Sequence, residues 1–342
     1  MKSPGAVKRV LVIGQGSIGK RHSRLLTKQF PELSVTSIGH RQVYGDDFAK
    51  SGQFNTPVDP GKLLEANPDA AIVAGPASAH LAIARCLLNA GVHVLIEKPV
   101  ACTSEGVKEL QLLAERRRCV VLLGYNLRFS NSLNRFKQCL TDQIVGRILS
   151  VRCEVGQYLP DWRCGADFKQ SVSAQKLLGG GVLLELSHEI DYLQWIFGSI
   201  CLVSGQLLQQ SDWGLDVEDT AHILLTFTPR NNSSALVASL NMDFIRRDST
   251  RMCVAIGEEG SLLWDAIEGR VSVRYAGSSK WEPIFTENVD GEETYLKEHH
   301  HFFECIQNQH APLVGIAQGL RVMEVIDAVR QSSNQQQSVE VL

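Results

Sequence analysis

The chain has 342 residues, of which 44% are hydrophobic and 21% are charged, and its formal net charge is -3. This length predicts two domains at about 150 residues per domain, and the small negative charge excludes a nucleic-acid binder that relies on a broad positive field. No apolar run approaches the roughly 18 residues that span a bilayer. The apolar stretch 10–13 is also too short for the core of a signal peptide, so we expect a soluble cytoplasmic protein.

The nine cysteines are scattered along the chain and include no Cys-x-x-Cys pair. Disulfide frameworks and zinc sites need ligands that cluster at short spacing. His299, His300 and His301 are adjacent, and adjacent residues of a helix cannot all face one ion. We therefore expect no metal site, and we expect most cysteines to be small buried residues in a reducing compartment.

Short apolar segments alternate with amphipathic segments over the first 124 residues. Strands are predicted at 10–13, 33–38, 70–74, 92–96 and 120–123, and helices are predicted at 18–30, 77–90 and 107–117. Because nearly continuous apolar strands that alternate with helices are typical of a parallel sheet covered on both faces, this region is predicted to be an α/β domain.

A Gly-x-Gly-x-x-Gly motif follows the first predicted strand and begins the first predicted helix. It comprises Gly14, Gly16, Ser17, Ile18 and Gly19. In this setting the first glycine allows a tight turn, the second lets the backbone approach a pyrophosphate, and the third lets helix and strand pack closely. The N–H groups at the start of the helix favour an anion, so the motif predicts a dinucleotide site.

The end of the second predicted strand indicates which dinucleotide is bound. An NAD site usually has an acidic residue about 20 residues after the glycine motif, where it binds the ribose 2′-hydroxyl. Here the strand is followed by His40 and Arg41, and no acidic residue precedes Asp46. Because a guanidinium binds a 2′-phosphate well, with Ser37 and His40 as further donors, we favour NADP. NAD is the alternative, in which Arg41 is a solvated loop residue.

Motifs over nearly the whole chain resemble one enzyme family. Besides the glycine motif they are Ala71–Pro76 with His80, Gly91–Pro99, Gly124–Phe129, Gly179–Gly181 and His188–Asp191. Together they closely resemble the glucose–fructose oxidoreductase/inositol dehydrogenase (Gfo/Idh/MocA) family. The resemblance implies a Rossmann dinucleotide-binding domain at 1–124 and, at 125–342, an α+β domain with an open, mostly antiparallel sheet.

Glu97, Lys98 and Pro99 follow a buried strand, at the carboxyl edge of the sheet where α/β folds bind ligands. A lysine at that edge can donate hydrogen bonds to a substrate hydroxyl and favour its ionised form. The alternative is a strand-end lysine that pairs with Glu97. The resemblance implies that Lys98 is catalytic and that Glu97 and His80 contact or order the cofactor. It also implies further cofactor residues, which are Ala74, Pro76, Asn126 and Arg128.

The strand–helix alternation ends after Gly124. A helix is predicted at 133–140, a strand at 148–157, a polar loop at 159–176, and one helix from Gly181 through Leu184 and His188 to Trp195. Strands are then predicted at 221–227, 234–241, 251–256, 262–264 and 271–275, with turns at 229–232 and 257–260, and closing helices at 295–305 and 320–329. Strands joined by short turns predict an antiparallel or mixed sheet.

His188 is the second catalytic candidate, because an imidazole exchanges protons near neutral pH. Asp191 lies three residues later on the same predicted helical face, where it is expected to orient the imidazole or hold it cationic. The family commonly has an aspartate four residues before this histidine, where this chain has Leu184. The nearest acidic residue is Glu185, which is therefore the third catalytic candidate.

The loop that contains Tyr158, Trp162 and Arg163 combines aromatic surface with a fixed cation. Aromatic rings stack on sugar rings, and arginine pairs with carboxylates or phosphates. With Lys176, Lys98 and His188, these residues are the predicted substrate-binding set. The alternative is an ordinary surface loop.

The favoured function is an NADP- or NAD-dependent oxidoreductase that transfers a hydride between the nicotinamide and a hydroxyl or ketone carbon of a sugar-like molecule. One alternative is a hydrolase or lyase that uses the cofactor transiently, by oxidation, elimination and reduction. Another is a dinucleotide sensor without chemistry, which would need neither Lys98 nor His188. The resemblance also implies a homodimer or homotetramer formed through the C-terminal sheet.

Overall fold

The computed structural model describes residues 7–44, 58–162, 167–229 and 234–341. The predicted loop residue Arg163 and most of the predicted turn 229–232 lie outside these ranges. The described helices are α1 Ser17–Gln29, α2 Pro60–Leu64, α3 Ala77–Asn89, α4 Val107–Arg117, α5 Asn131–Thr141, α6 Val182–Glu185, α7 His188–Phe197, α8 Glu293–Asn308 and α9 Ile316–Gln335. Within these ranges no helix is long and apolar enough to cross a membrane.

The strands belong to two sheets. Those of the first sheet are β1 Arg9–Ile13, β2 Ser34–Ile38, β3 Ala70–Val73, β4 His93–Glu97 and β5 Val121–Gly124. Those of the second sheet are β6 Ile148–Gly156, β7 Ile200–Leu208, β8 Thr220–Phe227, β9 Val237–Asp243, β10 Thr250–Gly257, β11 Gly260–Asp265, β12 Arg270–Tyr275, β13 Glu282–Thr286 and β14 Val339–Glu340.

The chain divides into two compact units. The first comprises 1–125, 177–179 and 295–323, and the second comprises 126–176, 180–294 and 324–342. The sequence places the division between 124 and 125 but does not anticipate that 295–323 belong to the first unit. They do so because one face of α8 packs on α1, where the Phe30 ring lies 4.8 Å from that of His300 and 5.1 Å from that of Phe303.

The first unit is built on a parallel sheet with the strand order β2-β1-β3-β4-β5. Strands β3 and β5 are buried at every residue, and β1 and β4 are buried at all but their first residue. Runs of Val, Ile, Leu and Ala suit strands that helices cover on both faces. The predicted α/β domain is confirmed, and all its carboxyl strand ends share one edge.

The second unit is built on a sheet with the order β13-β12-β11-β10-β6-β9-β8-β7-β14, in which only the β6–β9 pair is parallel. The mostly antiparallel sheet predicted for this region is confirmed. Side chains alternate along β8, where Ala221, Ile223 and Leu225 are buried and His222 and Leu224 are exposed. Alternate residues of a strand point to opposite faces, so one face of this sheet forms the core.

Several features of the second unit differ from the prediction, among them strands β13 and β14, which the sequence did not indicate. The predicted continuous helix from Gly181 to Trp195 is wrong, because α6 ends at Glu185 and α7 begins at His188. Ser187 starts the new helix, since its carbonyl accepts the N–H of Asp191 at 3.1 Å. Strand β7 was not predicted. Its central Gly205 weakens the strand pattern, and a Cβ there would lie 3.1 Å from Val329 Cγ1.

Candidate active site

The glycine motif forms the turn between β1 and α1. Gly14 has φ +132°, and a Cβ there would collide with the carbonyl oxygen of Ala74, at the end of β3. A Cβ on Gly19 would collide with the carbonyl oxygen of Gly14, so only glycine allows helix and strand to pack this closely. Gly16, in contrast, is exposed, and a Cβ on it would have no other atom within 4 Å. Each glycine therefore has a distinct physical role.

The start of α1 is suited to an anion. Gly16 is the N-cap and provides no side-chain hydrogen bond, and the first turn contains no acidic residue. Ser17 is exposed and Ile18 is half-buried at this end. Backbone N–H groups and the positive end of the helix dipole attract phosphate at such a position. The residues present thus fit the pyrophosphate of a dinucleotide.

A 3-10 turn, His40–Val43, follows β2. Gly39 N–H donates to Gln42 Oε1 at 2.6 Å, and the hydroxyls of Ser37 and Ser23 are 2.6 Å apart. Arg41 is exposed. Burial, together with the nearby charges of Arg41 and His80, lowers the pKa of His40 to about 4, so this imidazole is neutral at neutral pH. Among residues 37–44, Arg41 is the one permanently charged side chain.

His80, on α3, orders the ends of two strands. Its Nδ1 lies 2.8 Å from the carbonyl oxygen of Pro99, and its Nε2 lies 2.9 Å from that of Gly75. It thereby ties the turn after β3, which includes Ala74 and Pro76, to the segment after β4. The predicted ordering function of His80 is consistent with these two contacts.

Glu97 ends β4 and is only 7% exposed. Its Oε1 lies 2.8 Å from His22 Nε2, and its Oε2 accepts the backbone N–H of Lys98 at 3.1 Å. Gly124 leaves room for this carboxylate, since a Cβ there would lie 3.0 Å from Glu97 Oε2. The Glu97 carboxylate thus fixes the backbone of half-buried Lys98, and its expected role in contacting or ordering the cofactor stays a prediction.

His22, Glu97 and Glu298 form a buried cluster in which one ligand atom from each lies within 4.8 Å of the others. Zinc at bond lengths of about 2.0–2.1 Å holds tetrahedral ligand atoms roughly 3.3 Å apart. His22 Nε2 and Glu97 Oε1 are only 2.8 Å apart, and His22 Nδ1 is 2.7 Å from His299 Nε2. Both ring nitrogens of His22 are thus in hydrogen bonds, and a proton rather than an ion joins His22 to Glu97.

The carboxyl groups of Glu97 and Glu298 differ in charge. Burial raises the pKa of Glu97, but the hydrogen bond from His22 and the charge of Lys98 outweigh burial and bring it below its ordinary value. Burial and the charge of Glu97 raise the pKa of Glu298 well above its ordinary value. Glu97 is therefore ionised and Glu298 is protonated at neutral pH.

Arg128 and Asp191 form a buried pair in the second unit. Arg128 Nε and Nη2 donate to the two carboxylate oxygens of Asp191 at 2.7 and 2.8 Å, and the guanidinium carbon lies 4.7 Å from the ring centre of Trp195. These contacts make each group the main partner of the other, while the roles expected for Asp191 at His188 and for Arg128 at the cofactor stay predictions. A buried guanidinium needs a buried carboxylate, and the two-point geometry uses both groups. Asn126, also predicted at the cofactor, donates to Thr294 Oγ1 at 2.9 Å.

His188 is the first residue of α7 and is half-buried. Glu185 ends α6 and accepts a hydrogen bond from Ser173 Oγ at 3.0 Å. Because α6 and α7 are separate helices, the expected helical spacing between Glu185 and His188 does not apply. The structure thus places His188 at a helix start and pairs Glu185 with Ser173, and the catalytic roles of both residues stay predictions.

The triple glycine makes room for several neighbours. A Cβ on Gly179 would lie 2.8 Å from Ala77 Cβ, and one on Gly180 would collide with the Val172 carbonyl oxygen. Gly181 has φ +103° and packs against Glu218, whose Oε1 accepts the Leu183 N–H at 3.1 Å. Lys176, just before, has an exposed side chain and donates its backbone N–H to Asp216 at 2.9 Å.

An aromatic cluster in the second unit includes the predicted residue Tyr158. Its hydroxyl accepts from Arg247 Nη2 at 2.9 Å, and that guanidinium lies 3.6 Å from the ring centre. Trp213 contacts Tyr158 edge-on at 5.6 Å and Phe168 at 5.4 Å. Trp162 instead packs on Phe244 at 5.3 Å. The sequence reasoning missed Phe168, Trp213 and Arg247, because they come from three separate segments.

Comparison with known proteins defines the class. Residues 8–125 match the NAD-binding Rossmann-fold domain of the GFO_IDH_MocA oxidoreductase family, and residues 137–341 match its C-terminal alpha/beta domain. The chain therefore belongs to this family, as its motifs indicated, and is an NAD(P)-dependent dehydrogenase by class.

Several members are similar over much of their length. Levoglucosan dehydrogenase of Pseudarthrobacter phenanthrenivorans is 24% identical over 96% of this chain and 97% of its own. An inositol 2-dehydrogenase/D-chiro-inositol 3-dehydrogenase of Shouchella clausii is 31% identical over 55% of this chain and 52% of its own. The solved levoglucosan dehydrogenase complex with NADH and L-sorbose has a TM-score of 0.80 at 22% identity, covering 98% of this chain and 99% of that one, which shows the shared fold.

Proposed function

We propose that the protein transfers a hydride between a nicotinamide dinucleotide and a hydroxyl or ketone carbon of a sugar or polyol. The observation that carries the proposal is the position of Lys98. It follows β4 at the same sheet edge at which β1 leads into the glycine motif. Ligands of open α/β sheets bind at this carboxyl edge.

The cofactor is assigned to Gly14, Gly16, Ser17, Ile18 and Gly19, with Ala74 and Pro76 lining the adjacent turn. When bound, the nicotinamide supplies the hydride acceptor or donor. Exposed Arg41 supports a preference for NADP, since its guanidinium can pair with a 2′-phosphate. No carboxylate occupies residues 37–44, where one would repel that phosphate.

Lys98 and His188 are assigned the proton chemistry. As a C–H bond of the substrate breaks, the O–H proton must leave the same CH–OH group so that a neutral carbonyl forms. Lys98 donates a hydrogen bond to that oxygen and stabilises its developing negative charge, and His188 accepts the proton. In the reverse direction His188 returns it.

Similarity to dehydrogenases of levoglucosan and inositol supports a sugar or polyol as substrate. Tyr158 and Trp162, with Arg163 and Lys176, remain the proposed substrate residues. The ring cluster of Tyr158 and Trp213 adds aromatic surface of the kind that stacks on sugar rings.

We also propose a homo-oligomer formed through the second sheet. Leu224 on β8 and Val237 on the paired strand β9 are 52% and 39% exposed. Apolar side chains on one open sheet face suit contact with a second copy. Light scattering should give a dimer or tetramer, and Leu224→Arg should shift it toward the monomer. A monomeric wild type would contradict the proposal.

The decisive experiment compares the wild type with Lys98→Met. Levoglucosan, inositols and simple glucosides are screened with NAD and NADP by nicotinamide absorbance, and cofactor binding is measured separately by fluorescence titration. We expect wild-type turnover on at least one compound, and in Lys98→Met a loss of turnover with cofactor affinity within a few-fold. Loss of cofactor binding would contradict the catalytic role of Lys98. Product formation without net absorbance change would favour transient cofactor use.

A further inference from the structure

Four buried side chains of the first unit form a histidine–glutamate cluster behind Lys98. They are His22 on α1, Glu97 at the end of β4, and Glu298 and His299 on α8. His22, Glu298 and His299 are fully buried, and Glu97 is 7% exposed. Burying four polar side chains is costly unless they are paired, so we expect this cluster to serve a function.

Hydrogen bonds run through the cluster in one direction. Burial holds the pKa of His299 well below its ordinary value, so His299 is neutral and has one ring N–H. Its Nδ1 is buried and has no hydrogen-bond partner among the described residues. An orphaned N–H costs more than an orphaned lone pair, which places the proton on Nε2. His299 then donates to His22 Nδ1, and His22 Nε2–H donates to Glu97.

The Glu97 carboxylate is the last acceptor in this series of hydrogen bonds, and it also binds the backbone of Lys98. Glu97 accepts a hydrogen bond from His22 on Oε1 and one from the Lys98 backbone N–H on Oε2, so the orientation of its carboxylate is fixed from both sides. Without His22, a buried carboxylate would lose its strongest partner and tend to take up a proton. The bond to Lys98 and the negative charge next to it would both weaken.

We propose that His22 and His299 are positioning residues of the reaction, which hold the Glu97 carboxylate in place so that Lys98 is presented at the sheet edge. This inference rests on the proposed role of Lys98. His22 acts directly on Glu97, and His299 acts through His22. Glu298 completes the cluster as a neutral acid, leaving Glu97 as its single anion.

The kinetic test uses His22→Leu and His22→Gln, with His300→Gln as the control. His300 is exposed and adjacent to His299 on the same helix. We expect His22→Leu to lower kcat about 10–100-fold, which corresponds to the loss of one hydrogen bond to a charged group, with cofactor affinity within a few-fold. Gln keeps one donor toward Glu97 and should restore part of the loss, whereas His300→Gln should leave kcat unchanged. If the Leu variant does not fold, His22→Gln carries the comparison.

The pH profile separates positioning from mere packing. The titratable and charged groups that face the Glu97 carboxylate are His22, His80, Lys98, Tyr295 and Glu298. Loss of the His22 hydrogen bond raises the pKa of Glu97. The acidic limb of kcat should therefore move to higher pH in His22→Leu, because ionised Glu97 is lost sooner as pH falls. An unmoved profile with an intact fold would overturn the inference.

A substrate-free measurement keeps this inference distinct from the proposed function. In protein labelled with ¹⁵N-histidine, NMR should show His22 protonated at Nε2 and bare at Nδ1, and His299 neutral through the neutral pH range. His299→Leu should change the His22 signals, and His300→Gln should not. If His22 has the opposite tautomer, the network is wrong even if sugars are oxidised. If the network is found but no polyol is oxidised, the proposed function fails instead.

Discussion

Replacing Glu298 with glutamine should stabilise the protein relative to the wild type, by an amount that increases as pH rises. Glu298 is fully buried and its pKa in the folded state lies well above the ordinary value of 4.5. The unfolded chain releases the proton of this group near that ordinary value, but the folded protein must retain it. A raised folded pKa gives stability that is complete at low pH and is lost as pH rises toward the folded pKa.

The magnitude follows from proton linkage. Each pH unit between the ordinary value and the working pH costs about 1.4 kcal/mol while the folded group stays protonated. The cost stops growing once the pH passes the folded pKa of Glu298. Glutamine needs no proton, so Glu298→Gln avoids this cost. Its second amide N–H adds a roughly constant penalty of about 1–3 kcal/mol if it lacks a partner, so the slope with pH is the quantity that tests the reasoning.

Urea unfolding of the variant and the wild type from about pH 5 to about pH 8 measures that slope. The difference in free energy of unfolding should move in favour of Glu298→Gln as pH rises, by at most about 1.4 kcal/mol per pH unit, for as long as the folded Glu298 stays protonated. Glu304, exposed on the same helix, is the control, and Glu304→Gln should show no slope. A flat difference for Glu298→Gln would mean that Glu298 is ionised in the folded protein, and would refute the charges assigned to the cluster.

Three further predictions concern other parts of the chain. Arg128→Met should cost about 3–5 kcal/mol of stability because it leaves the buried carboxyl group of Asp191 without its partner; thermal unfolding measures this, and adding Asp191→Leu should recover part of the loss. Arg41→Ala should weaken NADPH binding and leave NADH binding unchanged in fluorescence titrations, and equal loss of both would contradict the phosphate assignment. Gly19→Ala should lower the melting temperature because its Cβ meets a backbone carbonyl, whereas Gly16→Ala should keep the melting temperature and weaken cofactor binding; the opposite pattern would contradict the roles of these glycines.

Local patterns predicted the first unit well. Helix α4 has the predicted bounds, and β1, β3 and β5 lie within one residue of prediction. Their signals are short apolar runs bounded by glycine or proline, which depend on neighbours in the sequence. Strands β7, β13 and β14 and the break before His188 were not predicted. Gly205 interrupts the apolar pattern of β7, and neither glycine nor proline marks the helix break.

Pairings between distant residues could not be predicted in this way. His22 and His299 are 277 residues apart in the chain, and Arg128 and Asp191 are 63 apart. Helical spacing assigned Asp191 to His188 because it considers only near neighbours. These residues meet because α8 packs on α1 and because the turn Asn126–Phe129 lies near α7. Such tertiary packing cannot be predicted from a local sequence pattern. The positions of the glycine motif and of Lys98 were predictable because each directly follows the carboxyl end of an apolar strand.

The central claim is that a hydride passes between a sugar carbon and the nicotinamide. Its most direct test incubates the protein with the oxidised cofactor and levoglucosan or an inositol deuterated at its carbon positions, and measures the mass of the reduced cofactor. We predict that the reduced cofactor carries one deuterium from the substrate, and that Lys98→Met produces none. Sugar conversion with the cofactor left oxidised, or a reduced cofactor without deuterium, would contradict the account.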